Sequence, residues 1–325
     1  MAGIDDLQIF NEYVYSSTTE VLRQQIDLFN AASRGAIMLQ SSAHQGDYSQ
    51  LAFFKKLTGL VRERDAYDDT PTTVAAIKME HLLDVSVKVA AGTPPVDIPP
   101  SQYNWIQQNP AEAGAAMGQQ LAVEMFADML NKALLSGAAA ISNKTALTVD
   151  KSGESTATIT HPYMLDAAAK FGDRSQQIVC WVMHSKSMFD LWKDALANGQ
   201  DLFTYGSVNI VADPWGRRFI ITDSASLHYT DTDEHYRVLG LVPGGLYVGQ
   251  NNDFESNWDT KNGYENIQRS YQAEWSYNLG VKGFAWNTGV GGGKNPGDDE
   301  LELGSNWTSY YSSEKDAAGV CLITL

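Results

Sequence analysis

The stretch that decides the fold is residues 109–137, NPAEAGAAMGQQLAVEMFADMLNKALLSG. Asn109 is a good N-cap residue, and Pro110 suits the first position of a helix. Apolar side chains recur at helical spacing along one broad face: Ala122, Val123, Phe126, Met129, Leu130, Ala133 and Leu134. The pattern predicts a helix over residues 110–136 that ends at Gly137, with a length of about 40 Å. A helix of this length is long for a small domain and is expected to act as a structural spine.

A second strong pattern lies at residues 271–282, YQAEWSYNLGVK, where apolar and polar residues alternate without a break. This period of two predicts a strand that spans roughly 40 Å. The polar positions include Glu274, Asn278 and Lys282. They predict a second face that is either wet or available for an interface.

Residues 50–100 combine a strand pattern with turn chemistry. Alternation over residues 84–89 predicts a half-buried strand, and the residues 68–71, DDTP, are typical of a turn. Together they predict a long pair of strands that projects from the rest of the fold and has a polar tip. Since a lone hairpin is only marginally stable in water, we expect it to lie on something else, such as another subunit. Residues 93–100, TPPVDIPP, follow as a stiff, extended connector.

The remaining elements are shorter. The apolar run 178–183, IVCWVM, predicts a central buried strand. Helices are expected at Thr18–Ala32, at residues 162–171, and from Ser185 or Ser187 to Gly199; strands are expected within residues 145–160, 207–222 and 236–242 and at residues 320–325. The chain therefore belongs to the α+β class.

Composition and charge exclude several classes of protein. Hydrophobic residues make up 43% of the 325-residue chain and charged residues 19%, which indicates a folded protein. The formal net charge is −16, and no run of basic residues offers the phosphate contacts that a DNA-binding enzyme needs. The two cysteines have no metal-binding spacing, which favours a reducing cytoplasm. The acidic N-terminus does not resemble a signal peptide, and no stretch approaches membrane-spanning length.

Three segments resemble chemical motifs but do not meet their requirements. The glycine run before Lys294 lacks the glycine and the serine or threonine of a phosphate loop, so we interpret it as a flexible loop. Residues 231–235 lack the glycine and distal glutamate of a calcium loop, and are better explained as a solvated turn. His184 and Ser185 are poorly placed as a catalytic pair, and a helix-capping role is favoured. The sequence therefore predicts no catalytic, cofactor-binding or metal residue, no cofactor, and no enzyme.

The order of these parts resembles the Hong Kong 97-type capsid fold of tailed-bacteriophage major capsid proteins. Encapsulins and the floor of herpesvirus capsids share that fold. Several phrases also resemble one family of phage major capsid proteins: LFNAASRG at 28–35, VKVA at 87–90, KFGD at 170–173, WVMHS at 181–185 and NW at 306–307. The resemblance covers nearly the whole chain.

The resemblance implies a division of the chain into five parts: an N-terminal arm at 1–49, an extended loop at 50–100 that lies over a neighbouring subunit, a peripheral domain at 101–199 with the spine helix, an axial domain at 200–255 and a peripheral return at 256–325. It also implies pentamers and hexamers that close an icosahedral shell around double-stranded DNA. The expected partners are copies of the chain, a portal complex, a scaffold and, in some relatives, a decoration protein. The expected location is the virion capsid, assembled in the cytoplasm of a bacterial host.

Two departures from the family pattern bear on maturation. Some relatives carry an extra N-terminal scaffold domain that is cleaved off, whereas this sequence starts with Met1 directly on the arm, which favours a separate scaffold. In other relatives a loop lysine bonds covalently to an asparagine of a neighbour. Lys55, Lys56 and Lys78 lie near that region, but no motif selects one of them, and we assign no crosslink.

Three alternatives were weighed against a phage capsid. An encapsulin has the same fold but encloses an enzyme cargo, and the phage-family phrases count against it. A cytoplasmic α+β enzyme needs a pocket with converging titratable groups, which the sequence does not offer. A phage tail or decoration protein is expected to be mostly β, and the spine helix over 110–136 counts against that.

Overall fold

The computed structural model describes residues 4–41, 46–54, 60–67, 69–70, 73–79, 81–154, 156–197, 216–289, 293–311 and 313–325. Within these ranges the helices are α1 (Ile4–Ala32), α2 (Pro100–Gln108), α3 (Pro110–Ser142), α4 (His161–Ala169), α5 (Ser185–Ala197) and α6 (Asp298–Glu302). Short 3-10 turns separate several of these elements. The two longest of these helices, α1 and α3, pack against each other.

Helix α3 is the predicted spine, but it is longer than the sequence indicated. It contains 33 residues and runs to Ser142, so the predicted end at residue 136 is wrong. Gly137 does not terminate the helix. It lies buried inside it, where a side chain would come within 2.6 Å of Leu246 Cδ2. The glycine therefore leaves room for Leu246 against α3, and the helix continues through the small residues that follow.

The N-terminal segment differs more from its prediction. An extended arm with a short helix at Thr18–Ala32 was expected, whereas α1 is a continuous helix of 29 residues. Thr18 lies in the middle of this helix, and its hydroxyl donates to the carbonyl of Gly118 in α3 at 3.2 Å. Apolar residues upstream of Thr18, such as Phe10 and Val14, are almost fully buried. Because polar residues lie between these apolar residues, the sequence pattern did not reveal the buried face of α1.

A nine-stranded sheet contains β1 (Ile37–Ser41), β2 (Tyr48–Phe54), β3 (His81–Gly92), β4 (Val96–Asp97), β10 (Leu246–Gln250), β11 (Glu255–Lys261), β12 (Gln268–Val281), β13 (Phe284–Trp286) and β14 (Trp307–Ser309). Strand β12 has 14 residues and is the predicted long strand. It is also the centre of the sheet. Leu279 lies between Val87 of β3 and Val248 of β10, and Glu274 lies between Gly92 of β3 and Glu255 of β11.

A second, six-stranded sheet contains β5 (Thr148–Asp150), β6 (Cys180–Met183), β7 (Arg218–Ile221), β8 (His228–Thr230), β9 (Glu234–Leu241) and β15 (Gly319–Thr324). Its central strands β15, β9 and β6 are antiparallel neighbours, and every residue of β6 is buried, as predicted. Strand β9 comes from the segment 200–255, while β6 and β15 come from the two predicted peripheral segments. The domain boundaries within this sheet remain a prediction, and the expected strand before residue 213 lies outside the described residues.

Both cysteines lie in this second sheet and neither forms a disulfide. Burial raises the pKa of the Cys180 thiol to about 12, and burial likewise raises the pKa of Cys321 to about 12. The thiols therefore stay protonated at neutral pH, where they are poor nucleophiles and poor metal ligands. Their role is to fill the core, as the apolar run around Cys180 predicted.

Candidate assembly surfaces

The extended loop begins as a regular β-hairpin. Strand β2 pairs with β3 from Tyr48↔Val87 to Phe54↔His81. Strand β3 pairs with β12 only from Val87 to Gly92, so the hairpin continues past the edge of the sheet. From Gly92 to His81 the strand spans about 37 Å at 3.4 Å per residue. The hairpin thus holds its connecting loop well away from the sheet that anchors it.

The described part of that loop has no regular secondary structure and exposes large apolar side chains. Val61 and Tyr67 are each 93% exposed. Leu60, Val74, Ile77 and Met79 are also exposed by half or more. Exposed apolar groups on one projecting segment are a mark of a protein interface. Within the described residues, all six of these side chains are left half or more exposed.

The base of the hairpin is held by residues from the predicted glycine-rich loop. Lys294 Nζ lies 2.6 Å from an Asp47 carboxylate oxygen, and this contact raises the pKa of Lys294 and lowers that of Asp47. Asn295 has a left-handed backbone, with φ of 50°, and its side chain accepts a hydrogen bond from the amide of Ala90 at 2.7 Å. The described residues 293–295 therefore form a clasp on the base of the hairpin, and the flexibility expected of the glycine run stays a prediction.

The hairpin also contacts the C-terminal part of the chain. Asp84 of β3 lies beside Tyr310, and burial raises the pKa of the Asp84 carboxyl, opposed by its hydrogen bond with the tyrosine. The Tyr310 hydroxyl in turn accepts a hydrogen bond from the amide of Gly283 at 3.2 Å. These contacts fix the direction in which the hairpin leaves the subunit.

A second surface is formed by the part of the sheet that contains β4, β11 and β12. On one side the strands are covered by helices. Ser256 bonds Asn11 of α1 at 2.6 Å, and Arg269 stacks on the Tyr103 ring of α2 at 3.7 Å. The other side is an open groove of about 480 Å³.

The open side of these strands is acidic. Glu255 and Glu274 are directly opposite each other on neighbouring strands, and Asp259 and Asp97 are both paired with Ser270. All four carboxylates are exposed. Within the described part of the chain, no ion pair joins any of them to a basic side chain. We call this surface, defined by these four carboxylates, the acidic face.

Next to the acidic face, the polar positions of β12 are buried and not wet. Ser276 and Asn278 are each 2% exposed, so the expectation of a free polar face is wrong for this part of the strand. The side chain of Asn278 donates to Asn251 at 3.1 Å, and Asn251 donates to Ser276 at 2.9 Å. Asp253 continues the network to Lys88 at 3.5 Å. Hydrogen bonds between side chains thus accompany the burial of both faces in this part of β12.

The segments that resemble chemical motifs have structural roles. His184 Nδ1 accepts a hydrogen bond from the amide of Lys186 at 3.2 Å at the start of α5, which confirms the predicted capping role. Asp231 and Asp233 form the tight turn between β8 and β9, as predicted. In the ranges that the structure describes, no three His, Cys, Asp or Glu side chains are close enough to hold a metal ion. Lys55 and Lys56 lie outside those ranges, and Lys78 is exposed.

The sequence is matched over residues 6–321 by the model of the family described as Gp13-like, Major capsid protein 13-like. The chain belongs to this family of major capsid proteins. It is a phage capsid shell protein, located in the virion capsid, and it assembles with copies of itself. It is a structural protein and not an enzyme. No curated protein matches the sequence.

Two solved structures relate this capsid protein to known shells. The cyanophage Pam1 capsid asymmetric unit is 12% identical over 89% of this chain and 88% of that chain, with a TM-score of 0.52. The head structure of Helicobacter pylori bacteriophage KHP40 is 8% identical over 90% and 88%, with a TM-score of 0.50. At such low identity these similarities establish the fold alone. They confirm the predicted Hong Kong 97-type capsid fold.

A weaker similarity bears on the encapsulin alternative. The holo-SrpI encapsulin complex from Synechococcus elongatus is 12% identical over 75% of this chain and 81% of that chain, with a TM-score of 0.48. That score is too low to support an argument, and the choice in favour of a phage capsid rests on the family.

None of the helices in the described part of this capsid protein has the length and apolar character that crossing a bilayer requires.

Proposed function

We propose that this subunit forms pentamers and hexamers that close an icosahedral shell around the double-stranded DNA genome of a tailed phage. The observation that carries the proposal is the β2–β3 hairpin, which projects from the subunit and exposes Val61 and Tyr67 almost completely. A neighbouring subunit in a closed ring would cover these side chains and remove their apolar surface from water.

The negative net charge of the subunit supports the proposal that the shell encloses DNA without binding it tightly. The formal net charge is −16, and tight phosphate binding depends on clustered lysine and arginine. In this proposal the segment 200–255 is the axial domain that meets its copies at the capsomer centre. A portal complex, a scaffold and, in some shells, a decoration protein complete the partners, and assembly takes place in the cytoplasm of the bacterial host.

The content of the particles distinguishes a phage capsid from an encapsulin. The chain is expressed alone and together with the neighbouring phage genes, and the particles are examined by electron microscopy and assayed for nuclease-protected DNA and for co-purifying protein. We expect closed shells, and protected DNA once the packaging genes are present. Shells that enclose a stoichiometric enzyme and no DNA would instead identify an encapsulin.

The exposed apolar side chains of the loop give a separate prediction. Replacing both Val61 and Tyr67 by serine is expected to change the stability of the isolated subunit by less than about 0.5 kcal/mol, because neither side chain is buried there. The yield of shells is expected to fall at least about tenfold, since an apolar contact between subunits is lost in every copy. Chemical denaturation measures the first quantity, and electron microscopy with light scattering measures the second.

A matched control uses Val123→Ser, which removes an apolar side chain of α3 that is 48% exposed. It is expected to assemble normally. If the Val61 and Tyr67 double variant forms shells as efficiently as this control, the loop does not make the contact that we propose.

A further inference from the structure

The acidic face is unusual within the subunit because like charges are placed side by side. Glu255 and Glu274 are directly opposite each other in an antiparallel pair, an arrangement that destabilises a sheet. Lys261 lines the same groove, but the described residues show no ion pair between it and either glutamate, and Lys88 pairs with Asp253 at 3.5 Å. An external positive group would relieve the repulsion between the two glutamates.

The shape of the acidic face favours an extended polypeptide over a metal ion. The four carboxylates are spread along the strands, and Glu255 and Asp259 are four residues apart, about 13 Å in a β-strand. Among the described residues no carboxylate cluster is tight enough for a metal. The groove is open along its length and holds about 480 Å³, which suits a chain with basic side chains.

The extended loop supplies the matching charges. Residues 55–64, KKLTGLVRER, contain four basic and one acidic residue, the largest basic excess of any ten-residue stretch in this acidic chain. Arg62 and Arg64 are exposed, and the described residues give neither of them an ion pair. Because alternate residues of an extended chain face the same side, both arginines would face one surface while Glu63 faces away.

The loop begins far from the acidic face of its own subunit. Gly92 of β3 lies next to Glu274, but the hairpin then runs about 37 Å away from that point before the loop begins. A second copy of the chain presents the same acidic face and the same loop. Every subunit in a ring can therefore use both surfaces at once, each with a different neighbour.

We infer that the acidic face of one subunit binds Arg62 and Arg64 in the extended loop of a second copy. This inference rests on the proposed shell function and specifies its contact. Arginine is suited to the position because its guanidinium bonds a carboxylate with two parallel hydrogen bonds. The contact would set the register between neighbouring subunits, while the exposed apolar side chains of the loop supply buried area.

Charge reversal tests the inference in the full-length chain. One variant combines Arg62→Glu with Arg64→Glu, a second combines Glu255→Lys with Glu274→Lys, and a third carries all four changes. The second variant replaces two neighbouring negative charges by two neighbouring positive charges. We therefore expect the isolated subunit to keep a similar free energy of unfolding, which chemical denaturation measures. Asp27→Lys with Glu124→Lys, at two exposed carboxylates on α1 and α3, is the control for the change in net charge.

Shell yield under one fixed assembly condition is the readout, measured by light scattering and counted by electron microscopy. We expect each double reversal in the loop or the acidic face to reduce the yield at least about tenfold, and the fourfold variant to recover it, while the control assembles normally. Double variants that assemble like wild type, or a fourfold variant as defective as its parents, would overturn the inference and leave the shell function intact. A wild-type chain that never assembles would overturn both.

Discussion

Replacing Gly118 by leucine is expected to lower the free energy of unfolding by about 3 kcal/mol or more, although leucine is the better helix former. Helices α1 and α3 approach so closely at this point that even a Cβ atom on Gly118 would lie 2.7 Å from the carbonyl oxygen of Val14 and 2.9 Å from the Cβ of Ser17. The obstructing atoms include backbone, which cannot rotate away. The hydrogen bond from Thr18 to the Gly118 carbonyl would be lost as well.

Chemical denaturation followed by circular dichroism measures the change. Ala116→Leu is the matched control, because Ala116 lies two residues away on the exposed side of the same helix and has room for the larger side chain. The control should remain within about 0.5 kcal/mol of wild type. Equal stability of the two variants would mean that α1 and α3 do not pack as closely as described.

Replacing Trp307 by alanine is expected to lower the free energy of unfolding by about 4 kcal/mol. Its ring is 1% exposed and packs edge-to-face on Trp286, with ring centroids 5.0 Å apart. Its indole nitrogen also donates to the carbonyl of Leu301 at 3.2 Å. The substitution therefore leaves a cavity and an unpaired carbonyl where β14 meets α6, and α6 rests on the spine helix.

Trp105→Ala provides the comparison, since that indole is 43% exposed and its loss should cost far less. Denaturation followed by the fluorescence of the remaining tryptophans reports both variants. If Trp105→Ala lowered the free energy of unfolding as much as Trp307→Ala, the described burial of Trp307 in the core would be contradicted.

The elements that the sequence predicted well are those with strong local periodicity. The alternation at 271–282 corresponds to β12, and the apolar run 178–183 contains the fully buried β6. In each of them neighbouring residues alone set the pattern. The capping role near His184 was predictable for the same reason, because a cap depends on residues within one turn.

The errors share one cause, which is contact between distant parts of the chain. Gly137 is a typical helix terminator by local rules, but it lies inside the helix, where it leaves room for Leu246 of β10. Similarly, Asn278 indicates a wet strand face, but in the structure it is buried and its amide nitrogen donates to Asn251, which follows a separate strand. Sequence spacing holds no information about such partners.

The candidate surfaces were predictable only in part. The projecting strand pair within 50–100 followed from the strand pattern and the turn chemistry, whereas its contact with a neighbouring subunit stays a prediction. The acidic face did not follow, because Asp97, Glu255 and Glu274 are far apart in sequence and are brought together only by the pairing of β4 and β11 with β12. The clasp formed by Lys294 and Asn295 was missed for the same reason.

The central claim is that this chain builds a shell from copies of itself, and a cryo-electron microscopy reconstruction of its assembled particles tests that claim most directly. The account predicts closed icosahedral particles with five-fold and six-fold capsomers, in which the β2–β3 hairpin of each subunit lies across its neighbour. Preparations that contain only 35.6 kDa monomers, both alone and with the partner phage genes, would contradict it.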